Sequence, residues 1–404
     1  MSNEEIKKEK REKAFSPSRT VWRTQMAKGV YTPHRVSRIT CVINQLLAPK
    51  VADYLYTLGL DVYVENGRTV REHIKPRSFG LPGNVTCLQS TPVSIFRFSV
   101  PRENSQDVME SITNLVELNV PGRGTIFSQD LMEFSKEPPS INMDALQHKK
   151  VNDTEINFLD KLSYVICVLS IPGSGEDLAR IALDLGICVP LITSGTGNDI
   201  RDQLGLIRIT ISPEKEIVHL IMPEQDSNSI IRLLAEQTKL DRPGRGFIYQ
   251  TPVSVGLIDT RMKLGKQSYA ASIEQIIAAI DSLKGGTQWR RRLDADTDGN
   301  ATNTSFLPQD NCEISIISDE ERIEVLRESC LKVGATGATT TRVLPRIASA
   351  SGKATTTMIR SAINIPAEMA DKVVDTLLEI STIKQENTDR IDVLDSPAAY
   401  VRSI

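Results

Sequence analysis

The chain is 404 residues long, and its 48 Lys and Arg nearly balance 51 Asp and Glu, leaving a formal charge of −3. That balance excludes a nucleic-acid binder working through bulk positive charge, while acidic small ligands could still be met locally. The length is enough for several domains, each with a core of its own.

Residues 1–35 form a charged extension that opens "MSNEEIKKEKREK" and lacks the apolar stretch of a signal peptide. No apolar run elsewhere approaches the ~18 residues of a membrane span. A soluble, cytoplasmic protein that is not membrane-embedded is expected. The six cysteines, Cys41, Cys87, Cys167, Cys188, Cys312 and Cys330, form no C-x-x-C pair and read as buried thiols of a reducing compartment. His34, His73, His148 and His219 show no ligand spacing, so no metal site is expected.

From residue 36 one pattern is written three times. Unit 1 (36–135), unit 2 (160–267) and unit 3 (312–404) open on the strand-like runs "SRITCVIN", "SYVICVLS" and "CEISIISD". A helix-like stretch follows each and ends at Gly59, Gly186 or Gly334, where a left-handed cap favours a residue without Cβ. Two further strands separated by a polar loop come next, then a second helix. In units 1 and 2 a Pro-Gly-Arg-Gly stretch and a fourth strand complete β-α-β-β-α-β, the ferredoxin-like order. The expected class is α+β, with tandem ferredoxin-like domains packed as an intrachain pseudo-trimer. Residues 136–159 and 285–311 read as linkers, and 268–284 as an amphipathic helix outside the repeat.

The two glycine stretches, "VPGRGTIFSQDL" and "RPGRGFIYQTPV", occupy the same place in their units. Consecutive N–H groups of a glycine-rich turn can converge on an anion, and the arginine inside can add a charge-assisted bond to phosphate. One copy alone would read as a tight helix-to-strand connection. Two copies favour phosphate cradles at Gly122, Arg123 and Gly124 and at Gly244, Arg245 and Gly246. No Walker loop occurs, and "SIPGSGEDL" reads as a helix-capping turn whose Glu176 and Asp177 would repel phosphate.

These features together resemble the nitrogen-regulatory PII-like signalling superfamily, as three such domains in tandem. The family's nucleotide loop, P/T-G-x-G-x-I-F/Y, is matched by Pro121, Gly122, Arg123, Gly124, Ile126 and Phe127, and by Pro243, Gly244, Arg245, Gly246, Ile248 and Tyr249. The family's lysine after the second glycine is replaced by Thr125 and Phe247. Its G-x-x-G-M-T motif reads against "GATGAT", which puts Gly337, Ala338 and Thr339 on ribose and adenine positions. Its basic segment after strand four is echoed by Arg261 and Lys263. Unit 3 has no glycine loop.

The resemblance implies a non-catalytic regulator that binds an adenine nucleotide (ATP, ADP, AMP or cyclic AMP), with magnesium and a small anion or metabolite as candidate companions, at clefts between units. It also implies a target protein, such as an enzyme or a membrane transporter for bicarbonate or ammonium. The segment Gly67–Cys87, with Arg68, Arg71, Lys75 and Arg77, is the expected effector loop, and a solvated basic loop is its plain alternative. No Ser-His-Asp, Cys-His or metal-ligand constellation suggests an enzyme. An RNA-binding sheet is disfavoured because Phe96 and Phe98 alternate onto one face, read as core. The alternative function is a protein-protein scaffold or a metal-responsive module of the same topology that binds no nucleotide.

Overall fold

The computed structural model describes residues 31–76, 84–146, 156–199, 214–240, 242, 244–264, 310–335, 337–346, 357–382 and 389–400. The expected helix at 268–284 and nearly all of the linker at 285–311 lie outside the described residues, as does most of the N-terminal extension.

Unit 1 contributes β1 (Thr32–Asn44), α1 (Ala48–Thr57), β2 (Val62–Pro76), β3 (Asn84–Pro101), α2 (Ser105–Val116) and β4 (Gly124–Ser135). Unit 2 contributes β5 (Leu159–Leu169), α3 (Ser174–Asp184), β6 (Leu191–Asp199), β7 (Glu214–Pro223), α4 (Glu224–Gln237), β8 (Gly246–Leu257) and β9 (Lys263–Leu264). Unit 3 contributes β10 (Asn311–Asp319), α5 (Glu320–Val333), β11 (Gly337–Arg346), β12 (Met358–Pro366), α6 (Ala367–Thr382), β13 (Arg390–Ser396) and β14 (Ala398–Tyr400). The result is a mixed α/β protein with a 14-stranded sheet and six helices among the described residues. Gly59, Gly186 and Gly334 all take positive φ just past their helices, as the sequence leads one to expect.

Within each unit the first strand is central, flanked by the third and fourth, with the second beyond the third: β4-β1-β3-β2, β8-β5-β7-β6 and β13-β10-β12-β11. Alternate residues of these strands meet the helices. Ile39, Cys41 and Ile43 pack with Leu55 and Ile112, Val165 and Cys167 with Leu178 and Leu234, and Ile314 and Ile316 with Leu326 and Leu377, giving each unit a separate core. Phe96 and Phe98 lie in the first of these. Five of the cysteines are buried and Cys87 is half-buried.

The strands also pair between units, and in one rotational sense. Val255–Leu257 of β8 lies against Ile126–Ser128 of β4, β14 against Ile248–Gln250 of β8, and Met132–Phe134 of β4 against Ile391–Val393 of β13. On the other edges β2 meets β6, β6 meets β11, and β11 meets β2. Each sheet edge is thereby paired, and the faces turned away from the helices are buried as well.

That inner face carries charge. Arg38, Tyr164 and Glu313 stand at the same place in the first strands of the three units, all buried. Arg38 and Arg360 both approach Glu313, at 3.5 and 3.2 Å, and Tyr249 donates to it at 2.9 Å. Arg390 bridges Glu133 and Asp392 at 3.0 and 2.9 Å, and Arg97 pairs with Glu65. Arg38, Arg97, Arg360 and Arg390 thus face Glu65, Glu133, Glu313 and Asp392, a neutral set in which each buried charge has an opposite neighbour. Burial alone would raise the Glu313 carboxyl, but Arg38 and Arg360 outweigh it and hold the group below its ordinary value.

Two predictions follow from this packing. A Cβ on Gly246 would lie 1.9 Å from the Val168 carbonyl oxygen at a φ of 133°, so Gly246→Ala should cost at least about 2 kcal/mol in urea unfolding. His219 is buried between the Tyr164 hydroxyl and Thr193 Oγ1 at 2.8 and 2.9 Å. Burial, then Arg97 and Arg360, push its pKa well below 6.5. The unfolded chain therefore binds a proton below that pH that the folded chain refuses, so stability should fall as pH drops from 6.5 toward 5. The slope should approach about 1.4 kcal/mol per pH unit, and His219→Gln should flatten it in melts across that range. Loss through Glu313 is expected only at lower pH, below the ordinary carboxylate value of 4.5.

Candidate functional site

The two glycine loops share one backbone shape. Gly122 and Gly244 take φ of 96° and 72°, and Gly124 and Gly246 take 155° and 133°. The second glycine of each presses against strand one of its own unit: a Cβ there would meet the Val42 oxygen at 2.1 Å or the Val168 oxygen at 1.9 Å. Close backbone approach thus demands that glycine whether or not a ligand binds.

What fills the first loop is a side chain from unit 2. After β8 the chain crosses onto unit 1, where Asp259 enters the loop, itself only 4% exposed. Its Oδ1 accepts from the Gly122 N–H at 2.8 Å and from the Arg261 N–H at 2.9 Å, while its Oδ2 accepts from Arg71 at 2.5 Å. The Asp259 N–H donates to Thr125 Oγ1 at 3.0 Å. Beside this carboxylate lies a narrow cleft, open to solvent in part, lined by Asn44, Thr69, Val93, Cys188 and Val189 among others. It joins the glycine loop and β2 of unit 1 to the start of strand two of unit 2. A glycine turn, a backbone N–H and a guanidinium converging on one carboxylate form an oxyanion site, and the chain's own Asp259 occupies it.

The other expected residues fall in several places. The Arg123 guanidinium pairs with Glu117 at 2.9 Å and donates to the Val116 carbonyl at 3.2 Å, which ties it to the end of α2. The Arg261 side chain lies across Gly122, with Cδ 2.9 Å from where a Cβ would stand. Lys263 sits on β9 and pairs with Glu72 at 3.3 Å. The Arg245 carbonyl accepts from the Ser170 N–H at 3.0 Å. Gly337, Ala338 and Thr339 begin β11, paired with Gly197–Asp199 of β6 and away from the first loop. Thr339 also lines the charged interior with Arg38, Arg97 and Glu313.

The expected effector loop needs correction. Arg68, Arg71 and Lys75 lie on β2, paired residue by residue with β3 in a long hairpin, and Arg77 is outside the described residues. Arg71 is buried against Asp259. Arg68 reaches Glu176 at 2.5 Å and Glu216 at 3.8 Å, next to the start of α3. Gly175 there donates its N–H to Glu216 at 2.8 Å, so the start of α3 is capped from β7, and the "SIPGSGEDL" turn, with Gly173 at the N-cap, supplies no side-chain cap of its own. Sequence reading missed Asp259 because it took only the cations of "GLIDTRMKLG", although the acid stands in the same stretch.

No family model matches the chain, and no curated protein matches it. Among solved structures it is similar to the crystal structure of aspartate kinase from Synechocystis, with 9% identity and a TM-score of 0.19 over 89% of this chain and 44% of that chain. The chain spans less than half the length of that relative, and a likeness at this score carries no argument about fold or function. No helix among the described residues is long and apolar enough to cross a membrane.

Arg71 and Asp259 are both nearly sealed from solvent. Arg71→Met would leave that carboxylate without its cation, and should lower stability in urea unfolding by about 3–5 kcal/mol.

Proposed function

We propose that the protein is a non-catalytic, ligand-sensing regulator of the PII-like kind, with three ferredoxin-like units closed into a pseudo-trimer within one chain. The observation that carries this reading is the rotational strand pairing, which lays the end of unit 2 over the glycine loop of unit 1 and β14 beside the strand that follows the second loop. The cleft so formed at the first loop combines the glycine turn of unit 1 with the start of strand two of unit 2, and an adenine nucleotide is the proposed ligand at clefts of this kind, with or without magnesium. Its target would be an enzyme or a transporter for bicarbonate or ammonium, met in the cytoplasm. The β2–β3 hairpin, bearing Arg68 and Lys75, is the proposed contact surface.

A second reading has its own support. Asp259 already fills the first loop, and both second glycines are demanded by packing. On that reading the loops are internal latches of a protein-protein scaffold.

Calorimetric titration with ATP, ADP, AMP and cyclic AMP, with and without magnesium, separates the two. The regulator should bind at least one of the four saturably and leave it unhydrolysed over hours. Absence of binding by all four would favour the scaffold, and steady turnover would make the protein an enzyme.

A further inference from the structure

Where the three helix-free faces meet they leave a small cavity to which all three units contribute, with Arg38, Tyr164 and Glu313 all in its lining. It shares no residue with either glycine loop.

The network around it is neutral as a whole, but its hydrogen bonds do not close. The Glu313 carboxylate accepts from Arg360 at 3.2 Å on one oxygen and from the Tyr249 hydroxyl at 2.9 Å on the other. The Tyr164 hydroxyl meets His219 Nδ1 at 2.8 Å. Arg38 places Nη2 on the neutral Gln129 Oε1 at 3.1 Å, while its Nε and Nη1 have no hydrogen-bond partner among the described residues. Asp392 lies 3.5 Å from Nη1, yet both of its oxygens accept from Arg390. Across the cavity the Thr341 hydroxyl is likewise without a partner among the described residues.

Arg38 is only 4% exposed. A guanidinium keeps its charge even when buried, so donors left unmade there cannot be relieved by loss of a proton. Burial is the largest influence on Arg38 and lowers its pKa, which Glu313 and Asp392 together do not offset. Around the cavity itself Arg38, Arg97 and Arg360 stand against Glu65 and Glu313, one positive charge over, and His219 is held neutral. Glu133 and Asp392, which balance the whole set, are joined by Arg390 beyond the cavity lining. A water molecule could accept from Arg38 but would leave that local surplus of charge in place.

We infer that this cavity is a binding site for a small monovalent anion of halide size, held by the Arg38 guanidinium with the Thr341 hydroxyl as a second donor. Such an ion adds a charge-assisted acceptor where the protein supplies none, and it ties unit 1 to unit 3. The site stands apart from the regulatory reading above, since it does not depend on whether a glycine loop holds a nucleotide.

The test is thermal unfolding of the full chain at fixed ionic strength, with sodium chloride exchanged for sodium gluconate, whose anion is too bulky for the cavity. The Tm should rise saturably with chloride, by about 2 °C at tenfold the dissociation constant. Arg38→Met should lose that dependence. Thr341→Val, which keeps the charge network intact, should raise the chloride concentration of half-effect by about tenfold and carries the test if Arg38→Met does not fold. Crystals grown in sodium bromide should show an anomalous peak against Arg38 and Thr341. A wild-type Tm indifferent to chloride, the same dependence in both variants, or no bromide peak in the cavity would overturn the inference and leave the space to water.

Discussion

A four-stranded sheet has two edges, and each edge presents a row of backbone N–H and C=O groups that need partners. In this chain the partners come from the other two units, in one rotational sense at both ends of every sheet. That single constraint fixes much of the rest. Closing the edges turns the helix-free faces toward one another, so their side chains leave water together. The polar groups there must then answer one another: Arg97, Arg360 and Arg390 hydrogen-bond to Glu65, Glu313 and Asp392, while Arg38 donates to Gln129 and lies 3.5 Å from Glu313 and Asp392. Such a network contributes little net stability compared with an apolar filling. Its value here lies in register, because a slipped unit would strand buried charge.

The same closure makes the cleft beside the first glycine loop. A strand that runs on past its own sheet to cover the neighbour's edge also delivers its following residues to that neighbour's glycine loop. Asp259 reaches Gly122 by this route. With three copies in one chain, each contact can vary alone. The first strands carry Arg38, Tyr164 and Glu313 at one position, a choice that would put three like groups together in a trimer of identical subunits. The loops diverge in the same manner, with the Asp259 carboxylate in the first and the Asp389–Arg322 ion pair at the corresponding place of unit 3.

Local features were legible in the sequence. Helix ends at Gly59, Gly186 and Gly334, the helix-facing alternation of Ile39, Cys41 and Ile43, and the repeated loop shape all follow from short-range patterns. The inner face was harder. Arg38 and Glu313 look like solvent positions of half-buried strands until a second sheet covers them, and nothing within a unit says that one will. The hairpin residues Arg68 and Arg71 were read as loop because "GRTVREHIKP" lacks clean alternation. Both pair with unit 2 rather than with their own unit: Arg71 is buried against Asp259, and Arg68 meets Glu176. Asp259 was missed for a related reason. Its meaning depends on which residue of another unit stands opposite, and that is a matter of long-range register.

The central claim is that one chain closes on itself through unit 1 and unit 3. Val64 and Leu344 face each other across that closing seam. The most direct measurement is oxidation of the Val64→Cys, Leu344→Cys double variant, followed by non-reducing electrophoresis and peptide mapping. A bridge within a single chain, joining those two positions at high yield, is the predicted result. Bridges formed only between chains, or no bridge under conditions that oxidise exposed thiols, would contradict the closed arrangement.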